Sequence, residues 1–122
     1  KLRETPIFRN TKPERLLQEK LKEVNIQYLT HQPIYGLPDI VIPTQQNAKL
    51  LIFVDGCYWH GCPFHRTKNG IFKEQRIKKD KHITKVLQDK GHIVIRIWEH
   101  DINSNIDFVF DKYIKPFIEL PP

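Results

Sequence analysis

The sequence predicts an α/β domain, a central mixed β-sheet flanked by helices, and three observations lead there. Two apolar, β-branched runs, residues 50–54 and 92–98, have the length and composition of strands. The first is apolar throughout, as befits a central strand buried on both faces. Helical spacing of apolar residues recurs before, between and after these runs, in the order helix, three strands, helix, strand, helix.

Residues 1–10 carry no periodicity and read as an arm. Thr11, Pro13 and Glu14 form a helix start, with a Thr cap, Pro in the first turn and Glu three residues after the cap. Leu16, Leu17, Leu21 and Val24 give that helix one apolar face, which ends near Asn25. Residues 26–30 read as a strand, and a turn through His31, Gln32 and Pro33 leads to a short strand at residues 39–42, stopped by Pro43. Gln45, Gln46 and Asn47 mark a hairpin turn before the central strand. Residues 56–70 form a loop rich in Cys, His and Gly, and a helix resumes at about Phe72 to be stopped by Gly91. A last helix is expected from Asn105 to about Lys115.

At 122 residues the chain has room for one domain, 1–122, and no apolar run approaches the roughly 20 residues of a bilayer span. The N-terminus has no apolar segment of a signal peptide, and two cysteines make no disulfide framework. With no initiator Met, the sequence is expected to be a domain cut from a longer protein. Its formal net charge of +6 has a location. Arg66, Lys68, Lys73, Arg76, Lys78, Lys79, Lys81 and Lys85 are opposed within that stretch only by Glu74 and Asp80, which accounts for the whole excess. A one-sided basic segment suits a polyanion such as nucleic acid, because each cation near a phosphate releases condensed counterions; it also suits a solvated helix face.

The densest chemistry lies in residues 54–65. Cys57, Cys62 and His65 offer two thiolates and an imidazole at the spacing of a zinc loop, and His100, just past the later strand, is the candidate fourth ligand. Four protein ligands leave zinc no open position, so this metal is structural. His60 is spare and suits a general base or acid. Asp39 opens one strand and Asp55 closes its neighbour, so their carboxylates reach one sheet edge, where they can hold Mg2+. Glu14 also reads as half of a capping box, and Asp80 as an ion-pair partner among lysines.

Residues 10–14, 36–41, 53–63 and 98–100 together resemble the very-short-patch repair (Vsr-like) endonucleases of the PD-(D/E)XK superfamily. The resemblance extends to the related EDxHD homing endonuclease catalytic domains through Glu14, Asp39, His60 and Asp80. It implies a restriction-endonuclease-like core, a catalytic Mg2+ and a structural Zn2+, double-stranded DNA as partner, and a cytoplasmic protein of a prokaryote or phage. Asp39 falls at the metal-binding aspartate, and Val54 where a backbone carbonyl completes the Mg2+ site. His60 falls at the catalytic histidine, Glu14 at the acid of the first helix, and Asp80 at an aspartate of the later helix. Cys57, Cys62, His65 and His100 match the zinc cluster, and Tyr58 and Trp59 match an aromatic pair that wedges into the base stack. Asp55 is a further ligand or an orienting group.

The expected activity is Mg2+-dependent hydrolysis of phosphodiester bonds in duplex DNA. Two forms stay open: nicking at T:G mismatches in repair, or the catalytic step of a homing endonuclease. The alternative is a zinc-stabilised DNA-binding module without catalysis. Asp39, His60 and Asp80 speak against it, because neither zinc nor phosphate contact needs them.

Overall fold

Leu50, Leu51 and Ile52 are fully buried and Phe53 nearly so, which makes residues 50–53 the axis of the molecule. Apolar side chains on both faces of one strand demand cover on both faces, and the rest of the chain supplies it. The computed structural model describes residues 11–44, 48–56 and 70–118. Its elements are α1 (Lys12–Glu23), β1 (Leu29–Thr30), β2 (Ile40–Pro43), β3 (Lys49–Asp55), α2 (Gly70–Asp89), β4 (Ile93–Trp98), α3 (Glu99–Ser104) and α4 (Ile106–Val109). A π turn, Phe110–Ile114, and a 3-10 turn, Lys115–Phe117, continue α4. The expected arm at 1–10, the turn at 45–47 and most of the 56–70 loop lie outside the described residues.

The strands form one sheet in the order β1-β2-β3-β4. β2 runs antiparallel to both of its neighbours, β1 and β3, and β4 runs parallel to β3 with Leu50 opposite Ile93 and Asp55 opposite Trp98. The mixed sheet is therefore as the sequence predicts. A parallel neighbour needs a long crossover, and the segment containing α2 provides it.

Alternation along β3 divides the core in two. Leu50 and Ile52 pack with Leu17 and Leu21 of α1, Ile95 and Ile97 of β4, and Ile102, Val109, Phe110 and Ile114 of the C-terminal segment. Leu51 and Phe53 face the other way, with Val41 and with Ile83 and Leu87 of α2. Each fully buried Leu or Ile contributes about 1.5–3 kcal/mol.

Both long helices end by the same device. Asn25 adopts a left-handed backbone (φ 61°), and the Asn25 and Ile26 amides bond back to the Lys22 and Leu21 carbonyls. Gly91 (φ 92°) and His92 do the same to Gln88 and Leu87. These are Schellman caps, which satisfy the last carbonyls and turn the chain sharply. The first explains a shortened element: after the cap only Leu29 and Thr30 pair with β2, not the whole of 26–30. The last helix is also shorter than expected. Asn105 does cap it, its Oδ1 accepting from the Phe108 amide at 3.0 Å, but α3 precedes it and the π turn replaces its second half.

Candidate active site

Three elements converge on one carboxyl pair. Glu14 lies in the first turn of α1, where it reaches back to the hydroxyl and backbone of Thr11. That is one half of a capping box; the Thr11 side chain makes no return bond. Unlike an ordinary capping glutamate, its side chain is only 9% exposed. Asp39 ends the loop before β2. Its amide donates to the Ile52 carbonyl at 2.9 Å, and its Oδ2 accepts from the Val54 amide at 2.7 Å. The loop reaches this position because Gly36 takes a φ of 84° and packs so closely on α2 that a Cβ there would run into Ile83. His31, at the bend after β1, holds a left-handed backbone (φ 53°) and donates its amide to the Asp39 carbonyl at 3.4 Å.

Glu14, His31 and Asp39 thereby form a cluster in which one ligand atom from each lies within 4.8 Å of the others. His31 Nε2 is 3.6 Å from Glu14 Oε1, and that carboxyl oxygen is buried without a hydrogen-bond partner among the described residues. Burial is the main reason the Glu14 carboxyl is held above its ordinary pKa, against the lowering influence of Thr11, Asp39 and, least, Arg15. Asp39 is pushed up to about 7, chiefly by burial. The Val54 amide and His31 pull it down, while the charges of Glu14 and Asp55 push it up. Two carboxyls in one dry place cannot both ionise cheaply without a cation. Such a pair either shares a proton or holds a metal.

On the α2 side of the sheet, Asp55 and Asp80 are treated differently. Asp55 is 6% exposed, and its Oδ1 accepts from Arg96 Nη1 at 3.0 Å. Arg96 also donates to the Thr84 hydroxyl at 2.8 Å and the Asp80 carbonyl at 3.3 Å. Its guanidinium stacks on the Phe53 ring at 4.3 Å and stands 3.8 Å from the Asp80 carboxylate. Arg76 approaches the same carboxylate at 3.9 Å. Asp55, Asp80, Thr84 and Arg96 line a cleft of about 500 Å³ with Lys81, Lys85 and Trp98.

The structure thus brings Glu14 to Asp39 and binds the Val54 amide to that aspartate. It places Asp55 and Asp80 together on Arg96. Lys78, Lys79, Lys81 and Lys85 are exposed along α2, as is Arg76, and Lys73 lies on the same helix. His100 sits in the first turn of α3, its Nε2 3.1 Å from Asp101 Oδ1. Cys57, Tyr58, Trp59, His60, Cys62, His65, Arg66 and Lys68 lie outside the described residues. Sequence reasoning passed over two participants. His31 looks like a turn residue, and its partner Glu14 is distant in sequence. Arg96 carries a signal that was available: a cation inside an apolar strand needs a buried partner.

The model of the family "DNA mismatch endonuclease Vsr" matches residues 6–68. The type II nicking enzyme V.NaeI of Lentzea aerocolonigenes is 30% identical over 104 residues, 75% of this chain and 61% of that enzyme. The chain thus spans less than two thirds of that relative. The type II nicking enzyme V.HpaIIP of Haemophilus parainfluenzae is 29% identical over 107 residues, 80% of this chain and 74% of that enzyme. Among solved structures, the catalytic domain of the homing endonuclease I-Bth0305I superposes with a TM-score of 0.59 and 31% identity, covering 84% of this chain and 89% of that one. Among the described residues, no helix is long and apolar enough to cross a membrane.

Proposed function

This chain belongs to the Vsr family of DNA mismatch endonucleases, and we propose that it is a Mg2+-dependent endonuclease that hydrolyses phosphodiester bonds in duplex DNA. The observation that carries this reading is the buried Glu14–Asp39 pair. Among the described residues Glu14 Oε1 finds no hydrogen-bond partner, and Asp39 is strained as an anion. A divalent cation relieves both, and hard carboxylate oxygens suit Mg2+. The donor set therefore fits the ion, with Asp39 and Glu14 as its side-chain ligands and the Val54 carbonyl as the backbone ligand that the family pattern supplies.

When bound, Mg2+ polarises the scissile phosphate and acidifies a coordinated water. The protein contributes the rest. The Val54 amide fixes Oδ2 of Asp39, so the acid is oriented before substrate arrives. His60 moves the proton, to it from the attacking water or from it to the leaving oxygen. Arg96 holds Asp55 and Asp80 on the α2 side, where they orient groups around the centre. The exposed cations of α2 grip the phosphate backbone, which positions DNA without reading sequence. Cys57, Cys62, His65 and His100 hold a structural Zn2+, and Tyr58 and Trp59 provide the wedge against the base stack. Both V.NaeI and V.HpaIIP carry "nicking enzyme" in their names, which supports a single-strand cut as the product.

Supercoiled plasmid incubated with the chain and Mg2+ tests this directly. The expected result is conversion to the open circle, lost on EDTA addition and in Asp39→Asn and His60→Ala. Undiminished cleavage by both variants refutes the site. Comparison of T:G-mismatched with perfectly paired duplexes then separates repair from homing-type action.

A further inference from the structure

We propose that His31 Nε2 is a third ligand to the metal held by Glu14 and Asp39, which makes the site an N,O,O set that favours Mn2+ over Mg2+. The inference rests on the reading of Glu14 and Asp39 as the metal-holding pair and adds to it a residue and a selectivity. Its basis is geometric. Ligand atoms on opposite sides of one ion bound at about 2.1 Å stand about 4.2 Å apart. The three candidate atoms lie within 4.8 Å of one another, and since adjacent ligands on such an ion stand about 3 Å apart, closure onto it needs shifts of less than about 2 Å. His31 Nε2 and Glu14 Oε1, at 3.6 Å, are too far apart for a good hydrogen bond and well placed to share an ion.

The second observation is Glu14 itself. Its side chain is more than nine-tenths buried, and Oε1 points into the cluster with no hydrogen-bond donor among the described residues to satisfy it. A carboxyl serving only as a helix cap would face solvent and cost little. His31 reaches the cluster only through a left-handed backbone, a conformation uncommon for residues other than glycine.

Chemistry sets the selectivity. Mg2+ prefers oxygen ligands in a strict octahedron and is reluctant to shed water. A neutral imidazole shifts preference toward first-row transition ions, and Mn2+, which also accepts carboxylates, is the least disposed of these toward the thiolates of the Cys57–Cys62 loop. Mn2+ is therefore the probe that reads this site.

The test is titration of the whole chain with Mn2+ alone, free ion being followed by electron paramagnetic resonance and Mg2+ affinity being taken from competition. Wild type is compared with His31→Gly, His31→Asn and Asp39→Asn. Glycine and asparagine both accept a left-handed backbone, so the fold is kept, and a thermal melt verifies it. Loss of the imidazole is expected to weaken Mn2+ at least about tenfold, the scale on which even indirect support of a ligand acts. Mg2+ should weaken much less, and Asp39→Asn should lose both ions. Unchanged Mn2+ affinity in the His31 variants overturns the proposal, as does an equal loss for both ions, which would mark His31 as a prop for the carboxylates. No Mn2+ binding by wild type overturns it too. Failure here leaves plasmid cleavage in Mg2+ untouched, so the two readings fall separately.

Discussion

At the end of β3, the α1 side of the sheet carries Glu14 with Asp39 and the α2 side carries Asp55 with Asp80. Both pairs are carboxylic acids, but Asp55 has a guanidinium 3.0 Å away whose other two nitrogens are also engaged. Among the described residues Asp39 has no such partner: a backbone amide and a half-buried imidazole offset part of the cost of its burial, and its carboxyl sits up at about 7. A buried acid with its cation already present is a strut. A buried acid without one is poised for something that arrives from outside. Breaking each pair should therefore have opposite consequences.

The largest effect is expected from Asp39→Asn. It should cut DNA nicking by roughly 10³-fold, the scale of the several kcal/mol that metal charge supplies to a transition state. The same variant should melt no lower than wild type at pH 8; a large drop in melting temperature would erase the contrast. Next comes Arg96→Leu. Removal of the cation takes from the buried Asp55 its guanidinium partner, at a cost of about 3 kcal/mol, read as a fall in denaturant midpoint. Arg96→Leu combined with Asp55→Asn should recover much of it. If the double variant is no better than the single, Asp55 and Arg96 are not a compensating pair.

A pH series without added divalent metal sharpens the comparison. The folded pKa of Asp39 is raised from 3.8 to about 7, so folding favours its protonated form. That contribution is present below the unfolded value and is lost as the pH climbs toward 7. Stability should fall by roughly 2–4 kcal/mol over this range. Asp39→Asn should flatten the slope, and Mg2+ should restore stability at the alkaline end. The smallest effects belong to the exposed cations. Lys78→Gln or Lys79→Gln should leave melting within about 0.5 kcal/mol. Where the lysine neutralises a phosphate, its removal should lower the salt slope of DNA binding by about one.

Local signals made much of this legible in the sequence. The unbroken apolar run at 50–54 gave a strand covered on both sides, Gly91 ended a helix, and Asn105 capped another. Asp39 by itself reads as a turn acid before a strand; the family resemblance at residues 36–41 is what marked it as a metal ligand. What stayed hidden depended on tertiary approach. The helix that begins at Thr11 gives Glu14 an ordinary capping role, and nothing local says that the cap is buried against Asp39. His31 acquires meaning only when the bend after β1 brings it to α1. The start of β1 was misjudged for a related reason. Asparagine at the cap reverses the chain and uses up residues that alone would extend as a strand.

The bond from the Val54 amide to Asp39 Oδ2 has a practical corollary. It wires a backbone proton to the one group whose charge state matters most. That amide resonance should move downfield as the carboxyl ionises and shift again when a cation takes up the charge. A single labelled valine thus becomes a resident meter of the acid, readable in the resting protein with no DNA in the tube.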